Sequence, residues 1–388
     1  MKKLIPFMMV ILLTGCWDVQ ELTEIGIVAA MAIDMDEETG EYQLTAQYLR
    51  PSAESTFVAS QDDPFLMITV TGRSISEMLR KTNHKIDRKG FYAHNKVVIV
   101  SEEVAKEGLL SIFETFQREQ VVRSYVWLGV TRDTSAASVL EKQKNSISKV
   151  SANFLSSLFD NAEYEAVAFN LLKFYKQALR QGMSPVLGVL SFDQSNQNTE
   201  ADVQLSGGAA FNKDKLIGFM NNKETMAYNW ITNHGGSSAQ GGLTFPYKED
   251  KYATLKLIDI NSSIKPKVTN EKDISYTIEI KKQVEITEQQ ELKKTETRKE
   301  LPKLVAELEK QAEKEIENRV AEVIKKAQEE FQADIFGFGS SLRNKYPKVW
   351  KKVKDNWGQE FANVPYEIKV EVEILNAGLL QGSLHPQE

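Results

Sequence analysis

Ile25-Gly26-Ile27-Val28-Ala29-Ala30-Met31-Ala32-Ile33 is an almost unbroken apolar run, and its reading decides the fold. Nine such residues, Ile and Val among them, read as a strand. Asp36 to Gly40 then supplies turn chemistry, and Tyr42, Leu44, Ala46 and Tyr48 alternate with polar residues at the period of a second strand. The chain therefore opens its folded part with a hairpin.

Outward from that hairpin, strand and helix patterns alternate. Phe65 to Val70 reads as a strand. Ser74 and Glu77 form a capping-box pattern ahead of a helix carrying Ile75, Met78 and Leu79. Val97 to Val100 has the composition of a buried strand, and Glu102 and Glu103 load the first turn of a helix with Leu109, Ile112, Phe113 and Phe116 on one face. A strand over 124–130, a helix opening near Thr134, helical segments around 154–159 and 170–179, and a strand over 185–192 follow. Such alternation predicts an α/β layer with some parallel pairing.

Residues 193–202 hold Asn, Gln and Ser with Ala201 as the one apolar residue, which is linker composition. Beyond it the texture changes. Val203 to Phe211 and Leu216 to Phe219 predict a hairpin around 212–214, and 252–260 and 274–284 read as strands. Leu304, Leu308, Ala312, Ile316, Val320, Ile324, Ala327 and Phe331 recur every three or four residues, the mark of one long amphipathic helix. Its mixed Glu and Lys face reads as solvated, and its apolar stripe as packed on the sheet of the same module. Tyr366, Ile368, Val370, Val372 and Ile374 alternate with Glu and Lys, a clear strand. The expected class is α+β, with mixed sheets and flanking helices. Two modules, 25–192 and 203–388, are joined by the linker and can divide into three structural domains.

Ahead of the hairpin lies a different kind of segment. Lys2 and Lys3 precede an apolar run, Leu4 to Leu13, too short to span a bilayer. Leu13-Thr14-Gly15-Cys16 resembles a lipobox, which predicts cleavage between Gly15 and Cys16 and a diacylglyceryl group, with a further N-acyl chain, on Cys16. Residues 1–15 are then a removed signal, and 16–24 a membrane-proximal tether. Cys16 is the chain's single cysteine, so no internal disulfide competes for the thiol. Two acyl chains give stable anchoring where one is marginal.

Composition narrows the function. The chain has 388 residues, 41% hydrophobic and 26% charged, enough for real cores. A net charge of -6, with no basic stripe among aromatics, argues against nucleic acid as a partner. His84, His94, His234 and His385 are scattered without metal-ligand spacing, so no metal site is expected. No Gly-x-Ser-x-Gly elbow appears. Residues 235–242, rich in Gly and Ser, lack the Lys and Ser/Thr of a phosphate cradle and read as a surface loop. No cofactor and no catalytic residue is expected.

A resemblance supplies what chemistry does not. Cys16, Trp17, Asp18, Glu21 and Leu22 look like the opening of the Ger(x)C lipoproteins, the C subunits of nutrient germinant receptors. Asp334, Ile335, Phe336, Gly337, Phe338 and Gly339, followed by Tyr346, Pro347, Trp350 and Trp357, are similar to that family's C-terminal signature. The residues have physical readings of their own. Gly337 and Gly339 can end the long helix through positive φ, and Trp350 and Trp357, seven apart, would share one helical face. Trp17 and Leu22 suit a membrane interface or a partner surface.

The resemblance implies a non-enzymatic subunit that works with A and B receptor subunits at the inner spore membrane, lipid-anchored on the extracytoplasmic face, in nutrient-triggered germination. It does not assign nutrient binding to this subunit. The alternative is a solute-binding lipoprotein of a transporter, which would need a cleft between two similar lobes. An exported hydrolase would need a nucleophile or metal motif.

Overall fold

The computed structural model describes residues 24–376 except 37, 51–62, 120–121, 142–146, 163, 194–201, 233–240, 249–250, 271–272 and 290–300. The opening hairpin is present as β1 (Ile25–Met35) and β2 (Tyr42–Leu49), antiparallel. Its turn is built by Asp36, whose Oδ1 accepts from the amides of Glu38 and Thr39, and by Gly40 at φ 67°.

Strands β3 (Phe65–Gly72), β4 (Lys89–Phe91), β5 (Val97–Val100), β6 (Trp127–Thr131), β7 (Phe169–Asn170) and β8 (Val186–Phe192) extend that hairpin into a mixed sheet. Two more strands, β9 (Val203–Asn212) and β10 (Lys215–Met220), complete a ten-stranded sheet of order β10-β9-β8-β6-β5-β1-β2-β3, with β4 on β1 and β7 on β6. The β1–β5, β5–β6 and β6–β8 pairs are parallel. Val97 to Val100 is buried at every position, as a parallel strand covered on both faces must be.

Helices cover both faces. On one side α1 (Ile75–Thr82), α2 (Glu102–Glu107), α3 (Leu110–Arg118) and α6 (Leu171–Ala178) join a core with Met31, Ile33, Val98 and Val100. On the other, α4 (Ala136–Glu141) and α5 (Ser151–Asp160) pack on Ala30, Ala32, Val97 and Ile99. Ser74 caps α1 by accepting from the Glu77 amide.

The structure departs from the sequence reading at two helix boundaries. The helix expected to run from Glu102 through Phe116 is two helices, broken at Gly108, whose φ of 121° no helix accommodates. The helix expected near Thr134 begins at Ala136, because the buried Asp34 carboxylate of β1 accepts from the amides of Ala136 and Ala137 at 2.6 and 2.9 Å. That cap comes from a residue 102 positions earlier, beyond the reach of a local pattern.

After α7 (Asn222–Thr232) a second, four-stranded sheet forms from β11 (Gly242–Lys248), β12 (Lys251–Thr269), β13 (Asp273–Gln289) and β14 (Tyr366–Asn376). The β12 and β13 strands run far past the expected 252–260 and 274–284. Between β13 and β14 comes α8 (Leu301–Lys326). Its stripe of Leu308, Ala312, Ile316, Val320 and Ile324 is buried, and the helix packs along β14, β11 and α7. Two carboxylates of α8 also close part of the sheet edge. Glu313 accepts from the Val372 amide at 3.2 Å and Glu309 from the Ile374 amide at 2.9 Å, groups that an edge strand otherwise leaves open.

The first sheet therefore takes strands from both sides of the 193–202 segment, and one hydrophobic cluster runs from Val28 to Val372 through both sheets.

Candidate functional site

The chemistry of the C-terminal signature is organised by Asp334. Helix α8 widens into one π turn, Ala327–Phe331, and stops where Gln332 adopts a left-handed backbone at φ 48°. The chain then folds back on the Asp334 side chain. Its Oδ1 accepts from the amides of Phe336, Gly337 and Phe338 at 3.2, 2.7 and 3.0 Å, and its Oδ2 from the Gly339 amide and the Trp357 Nε1 at 2.7 and 2.9 Å. Five donors thus meet one carboxylate that is 3% exposed. Burial pushes the carboxyl above its ordinary range, and the Gly339 amide and Trp357 indole lead the donors that pull it back. The carboxylate nucleates the turn that starts α9 (Phe338–Lys345).

The two signature glycines do different work from that expected. Neither ends α8, since Gln332 already does. Gly337 takes φ 89° at the start of α9, a conformation in which a side chain is strained. Gly339 has no positive φ; its role is closeness. A Cβ there would lie 2.6 Å from Trp357 Nε1 and 2.8 Å from Gly182 Cα.

Trp350 and Trp357 are not on one helical face. They sit on separate short helices, α10 (Pro347–Val353) and α11 (Trp357–Asn363), divided by a 3-10 turn at Lys354–Asn356. The turn brings the rings edge to face, 5.3 Å apart, and lets the Trp357 indole reach Asp334.

This knot is also where the C-terminal signature meets the part of the chain that precedes residue 193. The loop between α6 and β8 lies against it. Ser184 donates its amide to the Asp334 carbonyl at 2.7 Å, and Ser340 donates to the Gly182 carbonyl at 2.9 Å. Trp350 Nε1 reaches Gln181 Oε1 at 3.4 Å. Beneath them Phe338 packs on Tyr276, at 4.5 Å between ring centres, and on Phe361 at 5.5 Å. The Tyr276 hydroxyl donates to the Phe338 carbonyl, and burial together with Asp334 keeps it protonated far above its usual range. An open groove of about 530 Å³ lies over the knot, rimmed by Leu179, Arg180, Lys213 and Lys354.

Of the residues singled out in the sequence, Gly337, Gly339, Trp350 and Trp357 are thus brought together at one place. Gly15, Cys16, Trp17, Asp18, Glu21 and Leu22 lie outside the described residues. The structure adds Asp334 as the hub and Gln181, Gly182 and Ser184 as its distant partners. The hub had a signal in sequence, an Asp with glycines three and five places on. The partners had none. Among the described residues no group of three or more His, Cys, Asp or Glu could hold a metal ion, and no helix is long and apolar enough to cross a membrane.

Comparison with known proteins agrees with this architecture. The family model "Spore germination protein N-terminal domain" matches residues 18–192, and "Spore germination B3/GerAC like, C-terminal" matches residues 206–378. Spore germination protein KC of Bacillus subtilis is 27% identical, covering 97% of this chain and 96% of its own. Spore germination protein B3 of the same organism is 24% identical over 97% and 98%, and GerQC of Bacillus cereus 23% over 98% and 100%. In fold the chain is similar to the crystal structure of the GerBC protein, with a TM-score of 0.58 and 20% identity over 92% of this chain and 100% of that one. With its two halves matched by the family's two domains and its signature drawn into one knot around Asp334, the chain belongs to the Ger(x)C family of spore germination proteins.

Proposed function

We propose that this chain is a lipid-anchored, non-catalytic subunit of a nutrient germinant receptor. It is held by two or more acyl chains on Cys16 at the extracytoplasmic face of the inner spore membrane, where it works with A and B subunits. The observation that carries the reading is the full-length match to spore germination proteins, 97–98% of this chain for proteins KC, B3 and GerQC. The Leu13-Thr14-Gly15-Cys16 sequence supports the anchor. Tethering confines the subunit beside its partners, so a modest intrinsic affinity suffices for assembly.

Deleting the gene in its spore-forming host tests the role. Spores should lose the refractility drop triggered by nutrients and keep the response to a non-nutrient trigger; loss of both would contradict a receptor-specific part. Substituting Cys16→Ala tests the anchor. Incorporation of a fatty-acid probe should vanish, and unchanged labelling would rule the tether out.

A further inference from the structure

Strand β13 turns Tyr276, Ile278, Ile280, Lys282 and Val284 toward the buried side of the second sheet. Apolar or aromatic residues fill that row except at Lys282, which is only 4% exposed. Its Nζ lies 3.1 Å from the centre of the Trp230 ring, a cation–π contact that favours the ammonium form. Among the described residues no carboxylate pairs with it, and the charged group acting on it is another cation, Arg319. Burial and Arg319 together hold the amine well below its ordinary range. Arg319 is itself occupied by Glu315 at 2.6 Å and by the Thr244 carbonyl at 3.4 Å.

An ammonium taken out of water without a counter-charge is costly, and a core sheet has no need of one. Lys282 does, however, line a cavity, together with Trp230, Leu243, Leu255 and Leu257. The cavity leaves about 20 Å³ for the centre of a water-sized molecule. That exceeds the ~10–15 Å³ one water requires, but a water beside Lys282 and Tyr164 would bring no counter-charge to the ammonium. The fitting occupant has one negative group and a short apolar body.

We propose that the cavity binds a short monocarboxylate of acetate or propionate size, its carboxylate paired with Lys282 on the face of Trp230 and its alkyl end against Leu243, Leu255 and Leu257. Free amino acids fit badly. Their α-ammonium would be buried near Lys282 and Arg319 with no carboxylate among the lining residues. The site stands on this geometry and not on the receptor reading, so either can fail without the other.

Isothermal titration calorimetry on the purified full-length chain tests it, with acetate, propionate and L-alanine as titrants. Saturable binding of acetate or propionate is expected, with none for L-alanine, and affinity at least about tenfold weaker in Lys282→Met. Above about pH 6 the ligand is fully ionised, so affinity should fall as pH rises and the amine loses its proton. Absence of saturable binding, equal binding of L-alanine, or equal affinity in Lys282→Met would overturn the site. So would an affinity flat from about pH 6 to pH 10, a test that needs no variant to fold.

Discussion

Asp334 and Lys282 are both ionisable groups sealed inside the C-terminal half, and they have been treated in opposite ways. Asp334 is met by four amides and an indole, every donor within 3.2 Å. Lys282 has an aromatic face, a neighbouring cation and a small cavity. The first arrangement makes a buried charge part of the architecture, because removing the acceptor would strand all of its donors at once. The second leaves a charge whose removal strands nothing. Burial alone therefore does not tell what a charged residue is for; the count of its partners does.

The largest expected effect breaks the satisfied side of the pair. Asp334→Ala should cost about 3–5 kcal/mol, the cost of orphaning a buried hydrogen-bonded network, read from the midpoint of urea unfolding. Asp334→Asn should recover part of this, since its oxygen still accepts from 336–338 while its NH2 faces two donors. Equal loss in both variants would mean that shape, rather than acceptance, holds the turn. Gly339→Ala comes next, at about 1–3 kcal/mol, because a Cβ 2.6 Å from Trp357 Nε1 and 2.8 Å from Gly182 Cα forces the knot apart.

On the unsatisfied side the sign reverses. Lys282→Met, similar in volume and free of charge, should stabilise the chain by about 1–3 kcal/mol near neutral pH. The pH dependence follows from the depressed value in the folded state. Between that value and the ordinary lysine value of about 10.4, the unfolded chain binds more protons, so wild-type stability rises with pH. The advantage of Lys282→Met is therefore full below the folded value and fades as pH climbs toward about 10.4. Melting temperatures of the two proteins across that range check it. A constant gap would show that Lys282 stays charged in both states across that range. Trp357→Phe should cost about 1–1.5 kcal/mol, one donor out of five, since the Gly339 amide still reaches Oδ2.

Much of the framework behind this contrast was legible in the sequence, and the losses have physical causes. The runs at Ile25–Met35 and Tyr42–Leu49 declared their strands because burial sets their pattern. The later portion of β12 did not. Asn261, Ser262 and Ser263 carry no apolar signal and are held as strand by their ladder to β13. Lys282 broke the alternation of its own strand, and that interruption is a signal only once the row is known to be buried. Trp350 and Trp357 announced a packed pair, but the 3-10 turn between their helices has no marker as plain as a proline. The Asp334 turn was visible as an Asp followed by two glycines. Its docking onto Gln181 and Gly182 was not, because contacts across 169 positions leave no periodic trace.

The finest test separates the two signature glycines. Gly337 has φ 89°, yet the nearest atom to an added Cβ is Met183 Sδ at 3.5 Å, an ordinary contact. Gly339 has no positive φ and almost no room. If backbone strain alone governed the signature, Gly337→Ala would be the worse substitution. If close approach to Trp357 and Gly182 governs it, Gly337→Ala should cost only about 1 kcal/mol, the ordinary penalty of a left-handed alanine, and less than Gly339→Ala. Comparing the two unfolding midpoints decides between strain and contact. The order predicted here places the essential feature of the signature in what lies against it, with Asp334 holding the turn from below and the Gly182 loop closing it from above.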